Sequence, residues 1–503
     1  MFTFLIGMAA LIFGYVIYSR VIDKSFGPNP NNKTPAHKMG DGVDYVPIPR
    51  WKALGLHFIN ITGTGPIFGP IAGALFGPAA FIWIVLGCIL AGAVHDYMIG
   101  MISVRHNGTN VAEIVGKYLG NKPRAIMRVF SIVLLLFVGV VFVTTPAQVL
   151  NAHVGGTQIF FLIVIAVIIV YYIIATLLPI HLIIARVYPI FGALILFMGI
   201  GMLIALIVSG DIRNIPEFSF QNMRPDSGTN ILARIFPFLF ITIACGAISG
   251  FHATQAPIVA RCLANEKEGR LAFYGGMIGE GLVAMIWAAV TIAAITHLDG
   301  IVHVGTSTAV AAPLVVRAAA IGYLGVIGGT LAIVGVVLFP ITSGDTAFRS
   351  ARLILADSFK FDQKPAKNRL MLAIPLFAVA IPLVIFANVN PGNFGIIWRY
   401  FAWSNQTLAT IALWAAAAYM AKIGKNYWFT LLPAAFMTSV VIAYFFTATE
   451  TIGPLMTRIT GNFEITYAIG LAVGITTAVV LFVLFVKLIA INQRGTIKEE
   501  GGL

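Results

Sequence analysis

Apolar runs separated by short, charge-bearing polar stretches follow one another along almost the whole chain. A run of about 17 to 25 apolar residues is long enough to cross the hydrocarbon of a bilayer as a helix. Such runs fall at 2–19, 53–76, 78–103, 125–145, 158–178, 187–208, 234–260, 271–296, 320–344, 370–387, 395–420, 428–447 and 466–488. They are numbered here as segments 1 to 13. The pattern leaves room for an extra short helix in 305–320, and the boundary around Leu178 to Arg186 is soft.

Segments 2 and 7 are broken in the same manner, at ITGTGPIFGPIAG (Ile61–Gly73) and at ACGAISGFHATQAP (Ala244–Pro257). Glycines also allow close helix packing through small-xxx-small spacing, which Gly69 and Gly73, and Gly246 and Gly250, satisfy. In segment 2, however, Gly63, Gly65, Pro66, Gly69 and Pro70 crowd together beside Thr62 and Thr64. Each proline removes a backbone donor. That density predicts a discontinuous helix, because backbone that stops being helical in lipid is tolerated only where it lines a site. Paired broken helices in corresponding positions of two halves point to the binding site of a secondary transporter.

The charges orient these segments. With the N-terminus outside, 26 of the 32 basic residues fall in inside loops and helix ends, leaving only Arg213, Arg224, Arg234, Arg317, Arg399 and Arg458 outside. Adding or removing one segment in mid-chain scrambles that bias. The reading is thirteen crossings, N-terminus outside and C-terminus cytoplasmic. Segments 2 and 7 then cross in opposite senses, so segments 2–6 and 7–11 form two five-helix units related by inversion. One transmembrane domain is expected over 1–503. Within it, 1–50 is an added N-terminal helix and loop, 51–232 the first repeat, 233–425 the second, and 426–503 two C-terminal helices and a tail.

Composition agrees: 59% of the residues are hydrophobic and 10% charged, against about 25% charged in soluble domains. The net charge of +13 reflects the inside loops rather than nucleic-acid binding, since no long basic soluble region exists. Cys88, Cys245 and Cys262 show neither CxxC spacing nor paired placement, so neither a disulfide framework nor a zinc cage is expected. Met1 to Tyr18 lacks a basic n-region and a cleavage site and reads as a retained helix. No Walker A loop or nucleophile elbow occurs, so neither ATP-driven transport nor an enzyme activity is expected, and no catalytic residue, cofactor or metal is assigned.

Ionisable residues inside a membrane are functional candidates because they are expensive there. They are His57, the adjacent His95 and Asp96, His252, Glu280 and Asp345. His95–Asp96 reads equally as a structural pair tying helices together, and Glu280 as a gate, a proton carrier or an interhelical hydrogen-bond partner. His252 shares a segment with opened backbone. Thr342, Ser343 and Asp345 offer oxygen ligands for a hard cation or a proton. A salt bridge from Asp345 to Arg349 one turn on is the alternative. No HxxxH or HxH spacing supports a transition-metal site.

HFINITGTGPIFGPIAGALFG (57–77), WIVLGCILAGAVHDYMIGMISVRHNGTNVAEI (83–114), CGAISGFHATQAP (245–257) and FAWSNQTLA (401–409) together resemble the signature blocks of the carbon starvation protein A (CstA) family. FPITSGDTAFRSAR (Phe339–Arg352) departs from the Thr–Asp–Thr–Gly–Thr–Arg pattern expected there, and the C-terminus is shorter than in the longest members. The resemblance implies an inner-membrane importer of peptides in some members and of pyruvate, with protons, in others, serving carbon starvation. It also implies the LeuT-like five-plus-five fold of the amino acid–polyamine–organocation superfamily.

The expectation is an all-α polytopic secondary transporter with a midplane site between segments 2 and 7. Gly63, Thr64, Gly65, Gly246, Ser249, Gly250 and His252 would bind a peptide or short carboxylate at half-helix N-termini. His57, His95, Asp96, Glu280, Thr342, Ser343 and Asp345 would handle the coupling ion, a proton or alternatively sodium. Asn405 and Gln406, beside Trp403, would close the site from outside. A passive channel and a transport-free sensor are the rivals. The buried carboxylates and histidines speak against the channel, and the lack of a long inside loop speaks against the sensor.

Overall fold

Helix accounts for nearly every described residue of the computed structural model, which covers residues 1–42, 44–177, 180–218, 234–293, 308–363 and 365–500. Among the described residues no strand forms; Ile48 and Leu263 make an isolated bridge. Among the described residues, nine helices are long and apolar enough to cross a membrane, and two shorter apolar helices, Gly65–Phe76 and Gly192–Val208, accompany them. Three of the four segments outside the nine have a physical cause. Segments 2 and 7 are broken. Segment 11, Pro391–Lys422, is long enough but buries a polar row, Ser404, Asn405, Gln406 and Thr410.

Segment 9 is longer than its apolar run. Thr308–Phe359 is helical on both sides of Gly325, whose φ of 67° and ψ of −175° interrupt it. A short helix therefore precedes segment 9, where 305–320 left room for one; residues 294–307 lie outside the described part. Further short helices occur at Val111–Leu119 and Gly453–Thr460. Large apolar side chains such as Ile159, Val167, Val208 and Ile385 stay exposed on the outer surfaces of their helices, as lipid-facing positions require.

Both breaks exist, and both are narrower than their glycine and proline content suggests. Segment 2 is helical over Arg50–Thr62 and again over Gly65–Gly73, with the interruption at Gly63 (φ 42°, ψ −146°) and Thr64. Pro66 falls in the first turn of the second half, where a missing N–H costs nothing, and Pro70 is accommodated within it. Segment 7 leaves helix at Ile243, passes through Gly246 (φ 88°) and Ser249 in extended conformation, and resumes over Gly250–Ala260. Pro257 lies inside that resumed helix rather than in the break.

The released backbone groups are taken up by side chains from neighbouring segments, which is what makes such backbone affordable in lipid. Trp83 Nε1 donates to the Ile243 carbonyl at 2.9 Å. The Gly246 N–H donates to Glu280 Oε1 at 3.2 Å, and the Phe251 N–H to Asn405 Oδ1 at 2.6 Å. Ser343 Oγ donates to the Ile59 carbonyl, 2.9 Å away, in the last turn before the first break.

Candidate functional site

Segments 2, 3, 7 and 8 bring their ionisable side chains to one point. Segment 3 runs from Ala79 to Arg105 with a π-helical turn at Gly87–Gly92, a distortion that often accompanies a functional site. Gly92, the last residue of that turn, lies against the unwound stretch of segment 7. A Cβ on Gly92 would stand 2.2 Å from the Ala247 carbonyl oxygen. One turn later come His95 and Asp96, both fully buried.

Asp96 is the centre of the cluster. His57 Nε2 lies 3.3 Å from its Oδ2, His252 Nδ1 2.9 Å from the same oxygen, and His95 Nδ1 2.9 Å from Oδ1. An ionised carboxylate only accepts, so all three of these ring nitrogens carry hydrogen. The far nitrogens, His57 Nδ1, His95 Nε2 and His252 Nε2, make no hydrogen bond. His252 Nε2 nevertheless stands 3.2 Å from Glu280 Oε2, close but out of hydrogen-bond alignment. Glu280 holds the second break through its other oxygen, on the Gly246 N–H.

The two breaks meet beside this cluster. A Cβ on Gly65 would stand 2.3 Å from Cys245 Sγ, so the start of the resumed segment 2 helix rests directly on the unwound part of segment 7. Gly246 packs on Ala284 of segment 8 and Gly63 on the ring of Phe142. Thr64 is buried with its hydroxyl unbonded. Ser249 Oγ donates to Asn405 Oδ1 at 3.1 Å, and Gly250 abuts the Asn405 carbonyl. The helices resuming at Gly65 and at Gly250 both direct their N-termini to this join.

The remaining predicted residues fall into separate places. Ser343 reaches segment 2 through the Ile59 carbonyl. Thr342 bonds within its own helix, to the Phe339 carbonyl. Asp345 accepts from Tyr171 at 2.8 Å, while Arg349 donates to the Ala175 carbonyl at 2.8 Å. Gln406 donates to the Phe240 carbonyl, but the Trp403 indole turns away to Val441 of segment 12.

Sequence reasoning passed over Cys245, Trp83 and Tyr171. Only Cys245 carried a signal, its place inside the CGAISG break. Its Sγ lies within 4.8 Å of both His252 and Glu280 ligand atoms.

The profile of the carbon starvation protein CstA family matches the chain over residues 1–173, 163–322 and 305–444. The chain belongs to that family. A Haemophilus influenzae relative described as an uncharacterized membrane protein is 43% identical over 337 residues, 58% of this chain and 91% of its own. The peptide transporter CstA of Bacillus subtilis is 27% identical over 86% of this chain and 87% of its own. The pyruvate/proton symporter BtsT of Escherichia coli is 33% identical over 56% of this chain and 47% of its own.

Family members named for an activity are thus membrane transporters rather than enzymes. The fold is shared with solved transporters. MhsT in complex with L-phenylalanine aligns with a TM-score of 0.55 at 13% identity, covering 84% of this chain and 99% of MhsT. A Na+-coupled sialic acid symporter aligns at 0.53 and 14% identity, covering 96% of each chain. These neighbours have the LeuT fold.

Proposed function

We propose that this chain is a secondary active transporter that imports a small carboxylate, pyruvate or a peptide, across the cytoplasmic membrane together with a proton. The observation that carries this reading is the junction of the two half-helix N-termini with the Asp96 cluster. Gly65 and Gly250 begin helices whose positive ends favour a carboxylate. Thr64, Ser249 and the backbone of Gly63 and Gly246 line the same join. His57, His95, Asp96, His252 and Glu280, fully buried and within contact of one another, are the groups between which a proton moves.

In this reading the chain crosses the bilayer thirteen times, N-terminus outside and C-terminus inside, as two inverted five-helix repeats, 51–232 and 233–425. Segment 1 precedes them and segments 12 and 13 follow. A role in carbon starvation comes with the family name. Pyruvate and a peptide share the carboxylate that the helix ends would receive. The named relatives supply both activities, peptide transport in CstA and pyruvate/proton symport in BtsT.

Sodium coupling is the second reading, favoured by Ser343, Thr342 and the Ile59 carbonyl, an oxygen-rich patch against the first break.

Proteoliposomes with imposed pH or sodium gradients test this, with labelled pyruvate and a labelled dipeptide as substrates. Concentrative uptake driven by an inward proton gradient is expected. Uptake driven by sodium alone selects the second reading. Uptake only down the substrate gradient establishes a passive channel, and no uptake of either compound overturns the assignment.

A further inference from the structure

We infer that Cys245 Sγ, His252 Nε2 and Glu280 Oε2 form a three-ligand site for a divalent transition metal with zinc-like preferences. The three atoms lie within 4.8 Å of one another and belong to fully or almost fully buried residues. His252 Nε2 and Glu280 Oε2 stand 3.2 Å apart as an ion pair, and neither atom makes an aligned hydrogen bond. Two ligand atoms at about 2.0–2.1 Å from a tetrahedral zinc are separated by roughly 3.4 Å. The observed gap is close to that separation.

The outer contacts complete the argument. A metal-binding histidine characteristically donates its other ring N–H to a carboxylate, which fixes the ring and raises its basicity. Asp96 accepts from His252 Nδ1 at 2.9 Å, leaving Nε2 as the ligand nitrogen. Ligating carboxylates are themselves hydrogen-bonded, and the Gly246 N–H holds the non-ligating Oε1 of Glu280. Asn405 Nδ2 donates to Cys245 Sγ at 3.6 Å, and the thiol in turn donates to Ser249 Oγ at 3.7 Å, the hydrogen that a metal would replace. Thiolate, imidazole and carboxylate together are a zinc-type donor set with room for a fourth ligand. Binding replaces the thiol proton and occupies the free face of the imidazole.

Spacing conceals the site, since two ligands lie seven residues apart on an unwound strand and the third is on segment 8. The inference depends on these side chains alone; with the ion in place His252 and Glu280 serve as its ligands, and the proton of the proposed symport moves among His57, His95 and Asp96.

The test is the metal content of purified protein, synthesised in zinc- or cobalt-supplemented medium so that burial does not limit loading. Wild-type protein and the C88S/C262S variant should retain about one ion per chain, with a thiolate-to-cobalt charge-transfer band in the near ultraviolet. Cys245→Ser and Glu280→Gln should each retain under about a tenth of that, with folding verified by size exclusion and thermal melting. If either variant fails to fold, X-ray absorption on the wild-type zinc form decides. One sulfur at about 2.3 Å beside nitrogen and oxygen ligands supports the site. Folded wild-type protein without metal, metal bound without sulfur, or a band that survives Cys245→Ser overturns it.

Discussion

The carboxylate of Asp96 and the imidazole of His252 stand 2.9 Å apart, Oδ2 to Nδ1, where segment 3 meets the resumed helix of segment 7. They are 156 residues apart in the chain and are joined only because both segments pack at the second break. His57 and His95 converge on the same carboxylate, so its removal leaves three imidazoles facing one another.

Asp96→Asn keeps the volume but loses the charge and one acceptor oxygen. Removing one member of a buried, hydrogen-bonded charged group costs about 3–5 kcal/mol. A lowered melting temperature in detergent and the loss of proton-driven accumulation are expected in the variant. Wild-type melting with wild-type accumulation would refute a central role for Asp96.

The contact of Gly65 with Cys245 predicts a steric coupling between the breaks. Gly65→Ala places a methyl against Sγ and Cβ of Cys245, at an expected cost of about 1–3 kcal/mol. Cys245→Gly clears that space, so the double variant should show a favourable interaction of at least about 0.5 kcal/mol in a double-mutant cycle of unfolding. Strict additivity would show that the two breaks do not bear on each other.

Gly92 and Gly87 differ in what a side chain would strike. At Gly92 the obstacle is the Ala247 backbone oxygen at 2.2 Å, whereas at Gly87 it is the Ala247 methyl and the Trp83 ring, each at 3.0 Å. Backbone in a break that is already held by Trp83 and Glu280 cannot yield easily. Gly92→Ala should therefore lose about 3 kcal/mol and Gly87→Ala about 1 kcal/mol. Parallel thermal melts measure the order, and equal losses would refute it.

His106, just beyond the end of segment 3, gives a pH dependence. Burial, followed by the nearby Lys117, Arg105 and Lys422, pulls its pKa below the ordinary 6.5 despite the Ile102 carbonyl that its Nδ1 bonds. The neutral ring accepts from Tyr118 at Nε2, 2.8 Å away. A depressed histidine contributes stability that is complete above the unfolded pKa and is lost as pH falls through the folded value. The slope is below about 1.4 kcal/mol per pH unit and is further reduced because the ring is partly exposed. Melting temperatures from pH 7.5 down to about 5 should fall more for wild type than for His106→Gln; identical curves would count against this account.

Much of the architecture was legible because hydrocarbon imposes simple rules. Apolar runs located most of the segments, and the Gly63–Gly65 and Gly246–Gly250 clusters located both breaks. Their extent was harder to read. Pro66 and Pro257 look like helix breakers in sequence, yet Pro66 sits in a first turn, where its missing donor is harmless, and Pro257 lies within a helix.

His57, His95, Asp96, His252 and Glu280 were each conspicuous as charges in apolar runs. Their gathering around one carboxylate was not, because it follows from how four segments pack and not from spacing. Cys245 carried only its place inside the CGAISG break as a signal. Asn405 was visible in its motif, but its task of holding the Phe251 N–H appears only once segment 11 lies beside segment 7.

The three histidines on Asp96 each keep one ring nitrogen pointed elsewhere, and those nitrogens belong to helices on different sides of the join. Considered as wiring, Asp96 is a junction with three branches, of which only the one through His252 leads on to a second carboxylate. A charge arriving at the junction from any branch is felt at once by segments 2, 3 and 7. Under the proposed proton coupling, one particle held at Asp96 would bear on all three segments together.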